Sequence, residues 1–164
     1  FAWMCNRELG TKIAVVRALN AYGPGQKAVP VRKIMPTFVL AALRGDPIQI
    51  YGDGTQIMDM IHARDVADVM VRALLEPHGR YVSPAFEAGT GRRTTVQEIA
   101  ELVLHAVGKG SIEHLPMRPG EPPGSVVVGD PDTLQPLYAG EVPMMTALED
   151  GIAEVVSVYR GQHV

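Results

Sequence analysis

The chain has 164 residues and is 46% hydrophobic, the length of about one ordinary domain with enough apolar material for a packed core. Its formal net charge of −3 argues against a general nucleic-acid binder, which would carry a basic excess or stripe. A single cysteine, Cys5, excludes an intrachain disulfide framework and a Cys-rich zinc site, and no apolar run reaches the 18 residues of a membrane span.

Residues 1–9 (FAWMCNREL) read as the tail of a helix closed by Gly10. A helix with a good end and no visible start fits a chain cut from a longer one, or a trimmed N-terminus. Residues 12–19 (KIAVVRAL) are a β-branched apolar run, expected to be a buried strand of a parallel sheet. The glycines and prolines of 20–30 predict a loop. Helical spacing follows over 31–44, with Pro36 marking the first turn and Gly45 the stop. Residues 47–51 (PIQIY) alternate like a strand, GDGT reads as a turn, and 59–62 read as a second short strand. An amphipathic helix is predicted over 65–75, with Val66, Val69, Met70, Ala73 and Leu74 on one side. A strand over 81–88 leads into Gly89-Thr90-Gly91. Thr95-x-x-Glu98 is a capping box opening a helix that Gly108 ends. Strands are expected over 111–115 and 126–128, with a turn-rich loop over 118–124. Thr146-x-x-Glu149 reads as a second capping box, before a helix carrying Ile152, Val155, Val156 and Tyr159. Strands and helices intermix, so the fold class is α/β.

Two signatures are missing from the sequence. It contains no Gly-x-Gly-x-x-Gly loop, and none of the five tyrosines is followed four residues later by lysine. Three segments carry positive signals. Arg17-x-x-Asn20-x-Tyr22-Gly23-Pro24-Gly25 would place Asn20 at the carboxyl edge of a sheet, where ligands of open α/β folds bind; the plain alternative is an Asn capping a turn. Tyr51, beside a glycine turn, can offer a flat face to a base, or can simply be a half-buried strand residue. Arg118-Pro-Gly-Glu121 can present Arg to a phosphate and Glu to a sugar hydroxyl, or can be a solvated ion pair on a turn. Asp59, His62 and Asp65 straddle a strand-to-helix change and need not converge on a metal, so no metal site is assigned. Cys5 reads as inert. His78, His105, His114 and His163 have no partner at catalytic spacing.

Taken in order, these segments resemble the C-terminal half of the NAD-dependent epimerase/dehydratase family, the extended short-chain dehydrogenases acting on nucleotide sugars. The resemblance is carried by VVRALNAYGPGQ (15–26), Met35-Pro36-Thr37-Phe38, PIQIYGDGTQIMDMIHARDVADVM (47–70), EAGTGRRTTVQEIAELV (87–103), MRPGE (117–121) and TALEDGIAEVVSVYR (146–160). It implies a Rossmann-type fold joined to a small mixed α/β substrate-binding domain. Residues 1–30 would close the NAD-binding domain, 31–164 would form mainly the substrate-binding domain, and 59–91 would return to the NAD-binding sheet.

The resemblance also implies roles. Asn20 matches an Asn that touches the substrate diphosphate. Gln49 and Tyr51 match positions bordering the base, with Tyr51 at the stacking position, and the backbone of 31–36 matches a segment enclosing the base. Arg118 matches an Arg that binds diphosphate, and Glu121 an acid that reaches the ribose. NAD, the glycine loop and the Tyr-x-x-x-Lys pair would belong to an N-terminal half, so no catalytic residue is assigned here. In the intact enzyme the Tyr would take a hydroxyl proton while NAD takes hydride, ahead of epimerisation or dehydration. The implied partners are a nucleoside-diphosphate sugar and the N-terminal half or another copy of the chain, in a cytoplasmic homodimer away from nucleic acid and membrane. One position departs from the family pattern: Met58 stands where an Arg usually binds phosphate. That departure leaves open a non-catalytic binding or regulatory protein of the same fold.

Overall fold

The computed structural model describes residues 1–75, 85–122 and 124–163, apart from the side chains of Trp3, Gln162 and His163. His78 and the start of the strand expected over 81–88 lie outside the described residues.

The chain opens with helix α1 (Ala2–Leu9), which Gly10 ends in the left-handed conformation. Strand β1 (Val16–Ala18) follows and pairs in parallel with β6 (Phe86–Ala88). The parallel geometry agrees with the sequence, but the strand is three residues long and two of them, Arg17 and Ala18, are exposed rather than buried. Within the described chain only β6 lies beside β1, which leaves its apolar run half covered. The loop expected over 20–30 is also corrected. Residues Asn20–Tyr22 form strand β2, parallel to β5 (Met60–His62). Glycine and proline dominate that stretch only after Tyr22.

Alternation along β2 and β5 divides the molecule into two cores. Tyr22 and Met60 pack into one cluster, while Ile61 packs into the other with Ala21 against it. Successive strand residues point to opposite faces, so two short strands can serve both sides. The larger core joins helix α2 (Ile34–Arg44), α4 (Val96–Val107), α5 (Leu148–His163) and strand β3 (Ile48–Tyr51). Its helices contribute apolar residues at three- and four-residue spacing: Met35, Phe38, Val39 and Ala42 from α2, and Ile152, Val155, Val156 and Tyr159 from α5. Pro36 sits in the first turn of α2, as expected. Strand β3 pairs in parallel with β8 (Ile112–Leu115), and β4 (Ile57–Met58) lies between β7 (Thr94–Thr95) and β9 (Val126–Val127).

The smaller core holds Val66, Val69 and Ala73 of helix α3 (Ala63–Leu75), Phe86 and Ala88, and a 3-10 helix over Pro131–Tyr138 that contributes Leu134 and Leu137. Met70 and Leu74, expected on the same face, point outward with 49% and 72% exposure. The small core is too narrow to cover so wide an apolar stripe. The capping box at Thr95 and Glu98 is complete, and Gly108 ends α4. The second box is absent. Helix α5 begins at Leu148, and both the N–H and the hydroxyl of Thr146 bond to Asp65 at 2.9 and 3.0 Å. Glu149 instead takes a two-pronged contact from Arg92 at 2.8 and 3.1 Å. Among the described residues no helix is long and apolar enough to cross a membrane.

Candidate functional site

Strand β3 aims the first two site residues. Ile48 and Ile50 are buried in the large core, which sends Gln49 and Tyr51 to the opposite face. The chain then reverses at Gly52 and Gly54, both at positive φ, and Asp53 locks the turn by accepting the N–H and hydroxyl of Thr55 at 3.0 and 2.7 Å. Those donors hold the Asp53 carboxyl below its usual range. Parallel pairing of β8 with β3 brings the following segment back over the turn. The Gly52 N–H donates to the Leu115 carbonyl at 2.8 Å, and the space a Cβ at Gly52 would need is filled by the Met117 side chain.

That return delivers Arg118 onto Tyr51. The guanidinium carbon lies 3.9 Å from the ring centroid. Nη1 of the same side chain is 3.1 Å from Oε1 of Glu121, and both side chains are about half exposed. Gln49 donates to Glu113, its register partner on β8, at 3.2 Å. Gln49, Tyr51, Arg118 and Glu121 all line one cleft of about 320 Å³, a volume typical of small-ligand sites. Phe38 and Val96 give it an apolar floor, and Met58 forms part of its wall.

Two residues in this wall were not foreseen as side-chain contacts. Arg32 and Lys33 line the cleft just ahead of α2, whose N-cap makes no side-chain hydrogen bond and whose first turn holds no acidic residue. The wall therefore carries three cations against the single carboxylate of Glu121. The sequence signal was present, as two adjacent cations before a helix start, but it also describes an ordinary solvated loop.

Asn20 does not line this cleft. It begins β2, and its Nδ2 donates to the Asp59 carbonyl at 3.2 Å. The possible metal trio spends its atoms separately. Asp59 serves the turn after β6, Asp65 holds Thr146, and His62 lies edge-on to Tyr22 with ring centroids 5.4 Å apart. Among the described residues, no group of three or more His, Cys, Asp or Glu side chains could hold a metal ion.

The sequence model of the NAD-dependent epimerase/dehydratase family matches residues 1–89, more than half of the chain. The chain belongs to that family. A dTDP-4-dehydro-6-deoxy-D-allose reductase of Streptomyces bikiniensis is 33% identical over 119 residues, covering 72% of this chain and 35% of that protein. A UDP-glucose 4-epimerase of Thermotoga maritima, solved with UDP-glucose, aligns with 96% of this chain and 48% of its own at a TM-score of 0.82 and 28% identity. A UDP-glucose 4-epimerase of Thermus thermophilus, solved with NAD, aligns with 96% of this chain and 50% of its own at a TM-score of 0.78 and 27% identity. This member of the epimerase/dehydratase family thus spans about a third to a half of the length of these relatives.

Two turns of this chain were candidates for holding part of a dinucleotide, and neither offers a cradle for its pyrophosphate. A dinucleotide pyrophosphate needs a glycine turn between a strand and a helix. Here β5 ends at His62 and α3 begins at Ala63 with no glycine between them. The turn after β6, Gly89-Thr90-Gly91, is already filled: the Thr90 and Gly91 N–H groups both donate to Asp59 at 2.9 Å.

Proposed function

We propose that this chain is the nucleotide-sugar-binding half of an NAD-dependent sugar epimerase or dehydratase. The observation that carries this reading is the convergence of Gln49, Tyr51, Arg118 and Glu121 on one cationic cleft in a member of this family. Tyr51 would stack on the base, with Gln49 at its edge. Glu121 would accept from paired ribose hydroxyls, and Arg118 would fork onto the diphosphate. Arg32 and Lys33 would add charge where Met58 offers none. Asn20 keeps a second N–H on Nδ2 for a phosphate oxygen.

In this reading residues 1–30 and 59–91 complete the NAD-binding sheet of a preceding half, and the remaining residues form mainly the substrate domain. The parallel pairs β1–β6 and β2–β5 support that division, since both join these two segments. NAD and the acid/base pair would be supplied by the preceding half, and the intact protein would be a cytoplasmic homodimer. The relatives' names support a UDP- or dTDP-linked sugar as ligand.

Titration calorimetry with UDP-glucose and dTDP-glucose tests the reading. Saturable binding of one ligand per chain is expected, without turnover, because the sequence holds no Tyr-x-x-x-Lys. A folded chain that binds neither compound overturns the assignment of the cleft. Steady conversion of either sugar by the pure 164-residue chain overturns the assignment as a half.

A further inference from the structure

We infer that Arg118 is a ligand-displaced cover on Tyr51, and that it makes the cleft select nucleoside diphosphates over nucleosides carrying the same base. The inference rests on the nucleotide-sugar reading of the cleft and adds a selection rule to it.

The geometry sets up a competition. The Arg118 guanidinium lies 3.9 Å above the Tyr51 ring, close to the distance at which a stacked base would sit, so base and guanidinium cannot share that ring face. Glu121 holds Arg118 there through its 3.1 Å ion pair. Both contacts are weak. The pair is about half exposed, and a cation over an exposed ring is easily displaced. A ligand that offers only a base must remove Arg118 without giving it a new partner, and it leaves Glu121 without one too. A ligand that also carries a diphosphate gives the guanidinium a bidentate anion, a stronger partner than the ring or a half-exposed carboxylate. The same movement frees the Glu121 carboxylate to accept from ribose hydroxyls. One displacement thus opens the base face, seats the phosphates and exposes the sugar acceptor together.

The arrangement predicts opposite effects of one substitution on two ligands. Removing the cover should help a nucleoside and harm a diphosphate. Arg118→Leu should therefore tighten uridine or thymidine binding by roughly two- to fivefold, the worth of an exposed cation–π contact. The same substitution should weaken UDP or dTDP binding by roughly ten- to a hundredfold, the worth of hydrogen bonds to a charged group. Arg118→Lys separates the two roles. Lysine keeps the charge as a point donor but lacks the flat fork that lies on a ring. It should therefore recover part of the diphosphate affinity while keeping the gain for the nucleoside.

The experiment is a calorimetric titration of the original protein and both variants with uridine, UDP, thymidine and dTDP, after circular dichroism has shown equal folding. Opposite shifts for nucleoside and diphosphate support the inference. Nucleoside binding that weakens or stays unchanged in Arg118→Leu overturns it, even where UDP or dTDP binds as proposed. Failure of the original protein to bind either diphosphate overturns the nucleotide reading and the inference together.

Discussion

The Asp59 carboxylate, fully buried at the junction of β4 and β5, accepts the Thr90 hydroxyl at 2.6 Å. It also accepts N–H groups from Thr90, Gly91 and Gly129, at 2.9, 2.9 and 3.1 Å. One side chain thus ties the end of β4 to the turn after β6 and to the strand-end at Gly129. Asp59→Asn replaces an oxygen with an NH2 group that must face one of these donors. The loss is expected to be roughly 2–4 kcal/mol, because a buried donor loses its acceptor and gains a repulsive neighbour. A urea titration showing a lower midpoint at unchanged slope would confirm it. A midpoint within error of the original would show that the knot contributes little.

Tyr22 and Gly151 form a second long-range fit. A Cβ on Gly151 would overlap the Tyr22 hydroxyl and lie 2.8 and 2.9 Å from Cζ and Cε2 of its ring. A rigid ring buried in the large core cannot step aside cheaply. Gly151→Ala would gain about 1 kcal/mol of helix propensity in α5. Overpacking costs roughly 1–3 kcal/mol, so net destabilisation is expected. Tyr22→Phe alone loses only a long 3.5 Å hydrogen bond to the Leu148 carbonyl. The double variant should therefore be more stable than the sum of the two single losses predicts. Thermal unfolding of all four proteins measures that coupling.

What the sequence made legible was local. The box at Thr95 and Glu98 and the stop at Gly108 both lie within one helix, and both hold. The box read at Thr146 fails because Asp65, 81 residues away, takes the Thr146 N–H that Glu149 would accept and binds the Thr146 hydroxyl as well. Strand β2 was hidden for the same reason: three residues beside a Gly-Pro turn form a strand only because β5 runs alongside. At the cleft, alternation in PIQIY placed Gln49 and Tyr51 on one face. The approach of Arg118 to Tyr51 depends on the β3–β8 register, which no local pattern encodes. The resemblance alone links Asn20 to these residues; in the fold its amide donates to the Asp59 carbonyl, outside the cleft.

Several carboxylates are more acidic in the folded chain than free in solution. Glu98 is lowered first by the Thr95 N–H, Glu149 by the Arg92 guanidinium, and Asp68 by the Tyr138 hydroxyl. The unfolded chain therefore binds more protons as pH falls through the ordinary values of 4.5 for Glu and 3.8 for Asp. Stability from these groups is present above those values and is lost as pH falls through the lower folded ones. Glu98→Gln keeps an acceptor for Thr95 but removes the charge. The variant should be the less stable protein at pH 7, and the difference should shrink as pH falls below 4.5 toward the lowered folded value, because protonation makes the two alike. Denaturant midpoints measured across that range decide it. A difference independent of pH would mean that the charge on Glu98 contributes nothing to the cap.

Met58 offers the most direct test of where the phosphates lie. It shares the cleft wall with Arg32, Lys33 and Arg118, and a thioether cannot donate to an anion. Met58→Arg adds a fourth cation, which raises repulsion in the empty cleft and attraction once a diphosphate is present. UDP or dTDP should bind roughly tenfold more tightly at low salt, the worth of one charge-assisted contact. The gain should shrink as added salt screens the wall. Replacing Arg32 and Lys33 together by Gln should act in the opposite direction and flatten the salt dependence. Calorimetry at two ionic strengths reads both effects. Unchanged affinity in Met58→Arg would place the phosphates out of reach of position 58.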